Sequence, residues 1–476
     1  LKLVLFSSLG VSCPPPFRVA RRSVAMGRTR VGRVAAAGRV AAAATAVAAA
    51  AAAAGLGGWP SVPALSLVAP GRSAASGERR AEVGALFERM GRPTHVVAPM
   101  VEQSELPFRL LTRRYGAQLC YTPMIHAGHF VNDPFCRQQV LAEAMPADRP
   151  LIVQFAGNNA STLLQAARAV EHMCDAIDLN LGCPQDIAKR GRYGAFLLEQ
   201  EDSIVEIVRT LSSTLRVPVT CKIRLHGKLV FAPAAVHLQR TIRLCQRLEE
   251  AGCALLTVHG RTRYQNKGVI GTCNFNAIAK IKEAVGIPVV ANGGLASFED
   301  VARCLHETGA DAAMSSEAVL ENPAFFCGNR DSNGEYVDQN RLTREYLELA
   351  EKHPGAGTAA GQWPPYVNDH VFKFLYAGLQ DHPDLKLRVN DARSFAEMRA
   401  VLDDLVERGW QQPCFHQESY KRHRSWYFRY RMPEACELDG VPRPEEVRID
   451  LATAPSDAPA GREAPGRRSG KQKRKR

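Results

Sequence analysis

From Arg92 onward the chain alternates between short apolar runs and amphipathic stretches. The runs are HVVAPM (95–100), LCYTPM (119–124), LIVQFA (151–156), AIDLNLG (176–182), VPVTCKI (217–223), ALLTVHG (254–260), IPVVANGG (287–294) and DAAMSS (311–316). Each is rich in Val, Ile or Leu or in small apolar residues, and each ends in a turn, the signature of a strand buried on both faces. Between them, Thr162–Met173, Ser203–Leu215, Val236–Glu250, Phe275–Val285 and Phe298–Thr308 carry apolar residues at helical spacing. Strands alternating with helices predict right-handed crossovers and a parallel sheet. Eight such units within 93–328 fit a (β/α)8 TIM barrel, an α/β fold of typically about 250 residues. An open doubly wound sheet is the structural rival. It calls for a glycine-rich loop after the first strand, and here that strand ends in Ala98-Pro99-Met100.

Residues 341–408 change to a purely helical pattern. Leu342, Tyr346, Leu349 and Ala350 fall on one face. Val371, Phe372, Leu375 and Leu379 form a second, and Phe395, Met398, Val401, Leu402 and Leu405 a third. The expectation is a small all-α domain after the barrel.

Both ends differ from this body. Residues 1–92 carry 13 Lys and Arg against 3 acids, and residues 409–476 carry 15 against 9. Residues 18–39 are Arg-rich without an acid and lead into an alanine run, which fits a targeting presequence or low-complexity sequence that never folds. Residues 1–92 are therefore expected to lie outside the catalytic fold. The compartment follows that choice: plastid or mitochondrion for a presequence, cytoplasm or nucleus otherwise. The other end is Pro-, Ala- and Gly-rich from about 452 and finishes RRSGKQKRKR, a composition that buries no core. Within it, 420–431 (YKRHRSWYFRYR) mixes bases with aromatics, as phosphate contact plus base stacking requires, or as a packing strap over the barrel would.

Hydrophobic residues at 46% and charged residues at 23% exclude a mostly disordered chain and a polytopic membrane protein. The 13 cysteines form no C-x-x-C pair. Their odd number excludes a fully paired disulfide framework, and no zinc-ligand spacing is present.

In a (β/α)8 barrel, catalytic groups collect where strands end. The polar residues at those ends are Gln154, Asn180, Cys183, Lys222, Arg224, His259, Arg261, Asn292, Ser315 and Ser316. Asn292-Gly293-Gly294 and Ser315-Ser316 end the seventh and eighth runs, where barrels commonly bind phosphate. Lys222 ends an apolar run and needs an anionic or electron-rich partner. Cys183 follows the fourth run with Lys189 and Arg190 close behind, a setting for proton or nucleophile chemistry.

Beyond these single residues, APM (98–100), QFAG (154–157), DLNLGCP (178–184), AKRGRYGAFLL (188–198), VTCKIR (219–224), TVHGRT (257–262) and VANGG (290–294) occur in one order over 93–328. Together they resemble the tRNA-dihydrouridine synthase family. AKRGRYGAFL and MSSEAVLENPAFF (314–326) are most similar to its eukaryotic subgroup acting on uridines 16 and 17.

The resemblance implies FMN in the barrel mouth and NADPH as reductant. Pro99, Met100 and Val101 would lie along the flavin ring, with Gln154 and Lys222 at its polar edge. His259 would reach the ribityl or phosphate side. Asn292, Gly293 and Gly294 would hold phosphate, with Ser316 and Glu317 completing that loop. Asn180 would face flavin and uracil together, and Cys183 would be the general acid. Lys189, Arg190, Arg224 and Arg261 would meet the tRNA substrate. In the helical domain, Lys373, Lys386, Arg388, Arg393 and Arg399 would grip tRNA. The implied reaction reduces the C5=C6 bond of D-loop uridines. No metal, membrane or stable protein partner is implied. Glu317 departs from the family's frequent arginine, and 226–237 reads as an altered loop. Two alternatives are a dihydroorotate-dehydrogenase-like flavoprotein acting on free pyrimidines and a barrel that binds RNA without catalysis.

Overall fold

The computed structural model describes residues 85–227, 234–266, 270–354, 363–410 and 425–427. Nine parallel strands form its one sheet: β1 (His95–Val97), β2 (Leu119–Tyr121), β3 (Ile125–His126), β4 (Leu151–Ala156), β5 (Ala176–Leu181), β6 (Val219–Leu225), β7 (Cys253–Thr262), β8 (Val289–Asn292) and β9 (Ala312–Ser315). The order β2-β1-β9-β8-β7-β6-β5-β4 closes on itself because β2 also pairs with β4. Eight strands therefore make a closed barrel, as the sequence predicts. The two-residue β3 is an extra pairing that extends the second run along β4.

Alternation along each strand sorts the core into two layers. Val96, Leu119, Tyr121, Ile152, Ala176, Val290, Ala312 and Met314 fill the barrel interior. Their neighbours Val97, Cys120, Val153, Ile177, Val289 and Ala313 face the helical shell. Ser315 has the parity of Ala313, so it belongs to the shell side and not to the interior.

The interior layer has a floor that the sequence reading missed. The helix Leu86–Arg89 buries Leu86 and Phe87, and Met90 after it, against the starts of the strands. Assigning all of 1–92 to a segment outside the catalytic fold is thus corrected from residue 85 onward. Three apolar side chains at positions i, i+1 and i+4 place one face of this turn on the core.

The five amphipathic stretches are the helices Ala160–Val170, Glu201–Thr214, Ala234–Glu250, Phe275–Ala284 and Glu299–Thr308. Their starts follow from local capping. Asn159 and Asn274 accept main-chain N–H bonds from Thr162 and Ala277, satisfying otherwise orphaned donors of the first turn.

Past the barrel come the helices Gln339–Lys352, Pro365–Phe374, Tyr376–Leu379, Pro383–Asp391 and Phe395–Glu407. Their apolar faces share one continuous core with the helix Leu106–Arg114 of the barrel shell. At the join, buried Glu105 accepts hydrogen bonds from Tyr346 Oη at 2.8 Å and His370 Nε2 at 3.0 Å, and Phe108 stacks on His370. A buried carboxylate is stable only when paired in this way.

Ser425, Trp426 and Tyr427 return to the barrel. The Ser425 hydroxyl and the Trp426 and Tyr427 amides all donate to the buried Glu321 carboxylate, at 2.7, 2.9 and 3.0 Å. Of the two readings of 420–431, packing is what these three residues do. The remainder of that stretch, the alanine-rich N-terminal run and the basic C-terminal tail lie outside the described residues. Among the described residues, no helix is long and apolar enough to cross a membrane.

Candidate active site

The strand ends build a two-tier mouth. Gln154, Asn180 and Asn292 are buried. Above them Pro99, Met100, Cys183, Lys222, Arg224, His259, Gly293, Gly294, Ser316 and Glu317 are partly exposed, and Val101 is exposed. Register brings these together. Asn180 lies beside Lys222, Arg224 beside His259, and His259 beside Asn292. The turn after β1 is fixed by Ser104, whose hydroxyl accepts from the Met100 amide at 3.0 Å and donates to the Met100 carbonyl at 3.2 Å.

Cys183 sits in the turn after β5. Asn180 Oδ1 accepts from the Gly182 and Cys183 amides at 3.1 and 3.0 Å. On its other side the Ala195 amide donates to the Cys183 carbonyl at 3.0 Å. That approach needs glycine at 194, where φ is +62° and a Cβ would stand 2.8 Å from the Cys183 oxygen. Together with Met124 and Phe196, Cys183 packs against the buried cluster of Ala156, Ala188 and Tyr193. Burial in this apolar wall raises its pKa, against the Gln185 amide, Arg224 and Lys222, which favour the thiolate. At neutral pH Cys183 keeps its proton.

Lys222 Nζ donates to Asn292 Oδ1 at 2.8 Å, its one hydrogen bond among the described residues. An ammonium has three donors, so two remain for a ligand. Burial, and Arg224 beside it, bring its pKa down to about 8. Asn292 is held in turn through Nδ2 to the Met314 carbonyl at 3.0 Å. Gly293 has φ of +103°, and a Cβ there would stand 2.9 Å from the His259 ring. Glycine lets this loop press directly onto His259 and Arg261. A closely approached Gly-Gly turn, a histidine, and a lysine with spare donors form a set suited to a phosphate-bearing, electron-rich ligand.

A family model described as "Dihydrouridine synthase (Dus)" matches residues 96–361. The chain belongs to the dihydrouridine synthase family. It is 44% identical over 333 residues to a rat protein named tRNA-dihydrouridine(16/17) synthase [NAD(P)(+)]-like, covering 70% of this chain and 71% of the relative. It is 39% identical over 307 residues to the Saccharomyces cerevisiae tRNA-dihydrouridine(16/17) synthase [NAD(P)(+)], covering 63% and 70%. A human tRNA-dihydrouridine(20a/20b) synthase [NAD(P)+]-like protein is 38% identical over 245 residues, covering 51% and 73%.

Within this dihydrouridine synthase barrel, some expected residues play parts other than those the sequence reading gave them. Lys189 and Arg190 are exposed on the helix Asp186–Gly191; the cations that act on the Cys183 thiol are Arg224 and Lys222. Arg224 ties together the chain segments that rim the mouth. Its guanidinium donates to the carbonyls of Gly182 at 3.0 Å, Thr262 at 2.8 Å and Gln265 at 3.2 Å. Arg261 is buried, donating to the Gly271 carbonyl at 3.1 Å and contacting His259 Nε2 at 3.2 Å. Lys373, expected to grip tRNA, is buried beneath Trp426 and donates to the Asp369 carbonyl, so it reaches no phosphate. On the helices Pro383–Asp391 and Phe395–Glu407, Arg388 pairs with Asp404 and Arg399 with Glu351.

Three contributors were missed. Asp178 and Thr220 lie buried under Gln154, and Arg263 donates to the Ala195 carbonyl at 3.3 Å while its guanidinium lies over Phe196. Asp178 stood inside the DLNLGCP motif. An ionisable residue in a strand buried on both faces is a signal that could have found it.

Proposed function

We propose that this protein reduces the C5=C6 bond of uridines in the D-loop of tRNA to dihydrouridine, with FMN in the barrel mouth and NADPH as the source of electrons. The names of the rat and yeast relatives direct the reading to positions 16 and 17. The observation that carries it is Cys183: a half-buried thiol in the turn after β5, its amide held by Asn180, beside a lysine with two spare donors.

Pro99, Met100 and Val101 would flank the flavin ring, and Lys222 would meet its polar edge, with Asn180 beside it and Gln154 buried behind. His259, Asn292, Gly293, Gly294, Ser316 and Glu317 would surround its ribityl phosphate. When bound, FMN supplies the hydride that adds to uracil C6. Cys183 gives its thiol proton to C5, where negative charge develops in conjugation with O4. The thiolate left behind faces Arg224, Lys222 and the Gln185 amide, and it regains its proton from solvent. Lys222 supplies positive charge to the electron-rich ligand beside it. The uridine has to leave its stack to enter this mouth.

The test is turnover. Purified protein with FMN and NADPH should convert tRNA uridines at positions 16 and 17, mapped by mass spectrometry, and leave free uracil and orotate untouched. Affinity should fall steeply with salt, because phosphate contacts release counterions. Efficient reduction of a free pyrimidine would refute the tRNA reading.

A further inference from the structure

We propose that Asp178 is a positioning residue, whose carboxylate sets the direction of a hydrogen-bond chain ending on the main-chain amides of Gly182 and Cys183. The chain begins where Thr220 Oγ1 donates to Asp178 Oδ1 at 2.6 Å. Gln154 Nε2 donates to Asp178 Oδ2 at 2.8 Å. Asn180 Nδ2 donates to Gln154 Oε1 at 2.7 Å, and Asn180 Oδ1 accepts from the two amides of the cysteine turn. Asp178, Gln154 and Thr220 are all fully buried and Asn180 nearly so, so water does not replace these partners.

Two links of the chain are carboxamides, whose oxygen and nitrogen ends occupy almost the same space. Either end of Gln154 fits its site. The acceptor-only carboxylate at the root and the donor-only amides at the far end both select the same end. The carboxylate turns the Gln154 amine inward, so its oxygen points to Asn180. Asn180 must then turn its amine inward, and its oxygen is left for the Gly182 and Cys183 amides. Reversed, the same side chains would aim the Asn180 amine at two N–H donors, and the turn carrying Cys183 would lose both bonds. Asp178 thus acts on the thiol from three hydrogen bonds away without touching substrate.

This inference rests on the reading of Cys183 as the proton donor, but the chain itself can be tested apart from it. In full-length protein without added cofactor, Asp178→Ala should speed hydrogen exchange at the Gly182 and Cys183 amides about tenfold or more, the scale of losing one or two hydrogen bonds. Thr220→Val leaves the root acceptor in place and should change that exchange less than about threefold. In turnover, Asp178→Ala should lower kcat while the KM for tRNA holds. A second pair of variants covers the case in which Asp178→Ala does not fold. Asn180→Asp puts a carboxylate at each end of Gln154, which cannot donate to both with one amine, and should lower the thermal midpoint. Adding Asp178→Asn reverses the whole chain with every partner satisfied, and should raise the midpoint again. Unchanged exchange in Asp178→Ala, or a double variant no more stable than Asn180→Asp alone, would overturn the proposal. Full activity in Cys183→Ala would instead refute the proton-donor reading and leave the exchange result standing.

Discussion

The Lys222 ammonium reaches across β7 to the Asn292 side chain, joining β6 to β8 through a single 2.8 Å hydrogen bond. This contact orients the lysine that faces the mouth, while burial and the neighbouring Arg224 make the charge of that lysine sensitive to pH.

The folded pKa of Lys222 lies near 8, below its ordinary value. Between about pH 8 and 10.5 the unfolded chain therefore holds more protons at this position. Through this group, stability rises with pH across that window, while the positive charge at the mouth is lost above about 8. FMN added to cofactor-free protein should bind more weakly as pH passes 8, measured by quenching of flavin fluorescence. Lys222→Met should bind weakly throughout and show a flatter pH profile. A wild-type affinity that stays constant to pH 10 would exclude Lys222 from the ligand site.

Cys183→Ala should retain flavin and its reduction by NADPH, since neither uses the thiol. Dihydrouridine formation should fall by about 10²–10⁴, the usual scale for a general acid. Single-turnover assays with pre-reduced enzyme separate the two steps. Near-normal tRNA reduction would remove Cys183 from the mechanism.

Phe87→Ala should cost about 3–5 kcal/mol, as for other large side chains removed from a packed core. Phe87 belongs to the floor of the barrel. The loss should appear as a lower midpoint in denaturant, with flavin affinity at low temperature preserved. An unchanged midpoint would mean that the floor helix contributes little to the core.

Glu321→Ala removes the acceptor for Ser425, Trp426 and Tyr427 at once. Stability should drop by about 3 kcal/mol, and limited proteolysis should begin near Ser425. Glu321→Gln keeps one acceptor and should fall between the two. Equal protease resistance in all three proteins would show that these bonds do not hold the strap.

The barrel was legible because its strands are short apolar runs, most with a polar residue at or near the end, and the same pattern marked Cys183, Lys222, His259 and Asn292. What escaped depended on partners far away in sequence. Asp178 meets Gln154 and Thr220, 24 and 42 positions distant, so no local spacing marks the chain it anchors. Arg224 and Arg261 look like ligand-binding cations from their strand-end positions, yet their donors go to main-chain carbonyls at the end of β7 and in the loops beyond the strands. Lys373 carries the same ambiguity: a helical lysine reads as exposed until Trp426 covers it. The floor helix was hidden by its surroundings, one short turn at the edge of a long stretch that is mostly alanine, glycine and proline.

The floor helix also limits how the protein can be matured. Leu86, Phe87 and Met90 seal the end of the barrel opposite the mouth. A protease that cut the N-terminus beyond Ala85 would take part of the barrel core away with the segment it removed. Cleavage at Arg92, which still spares every strand, would open the barrel interior to water from below.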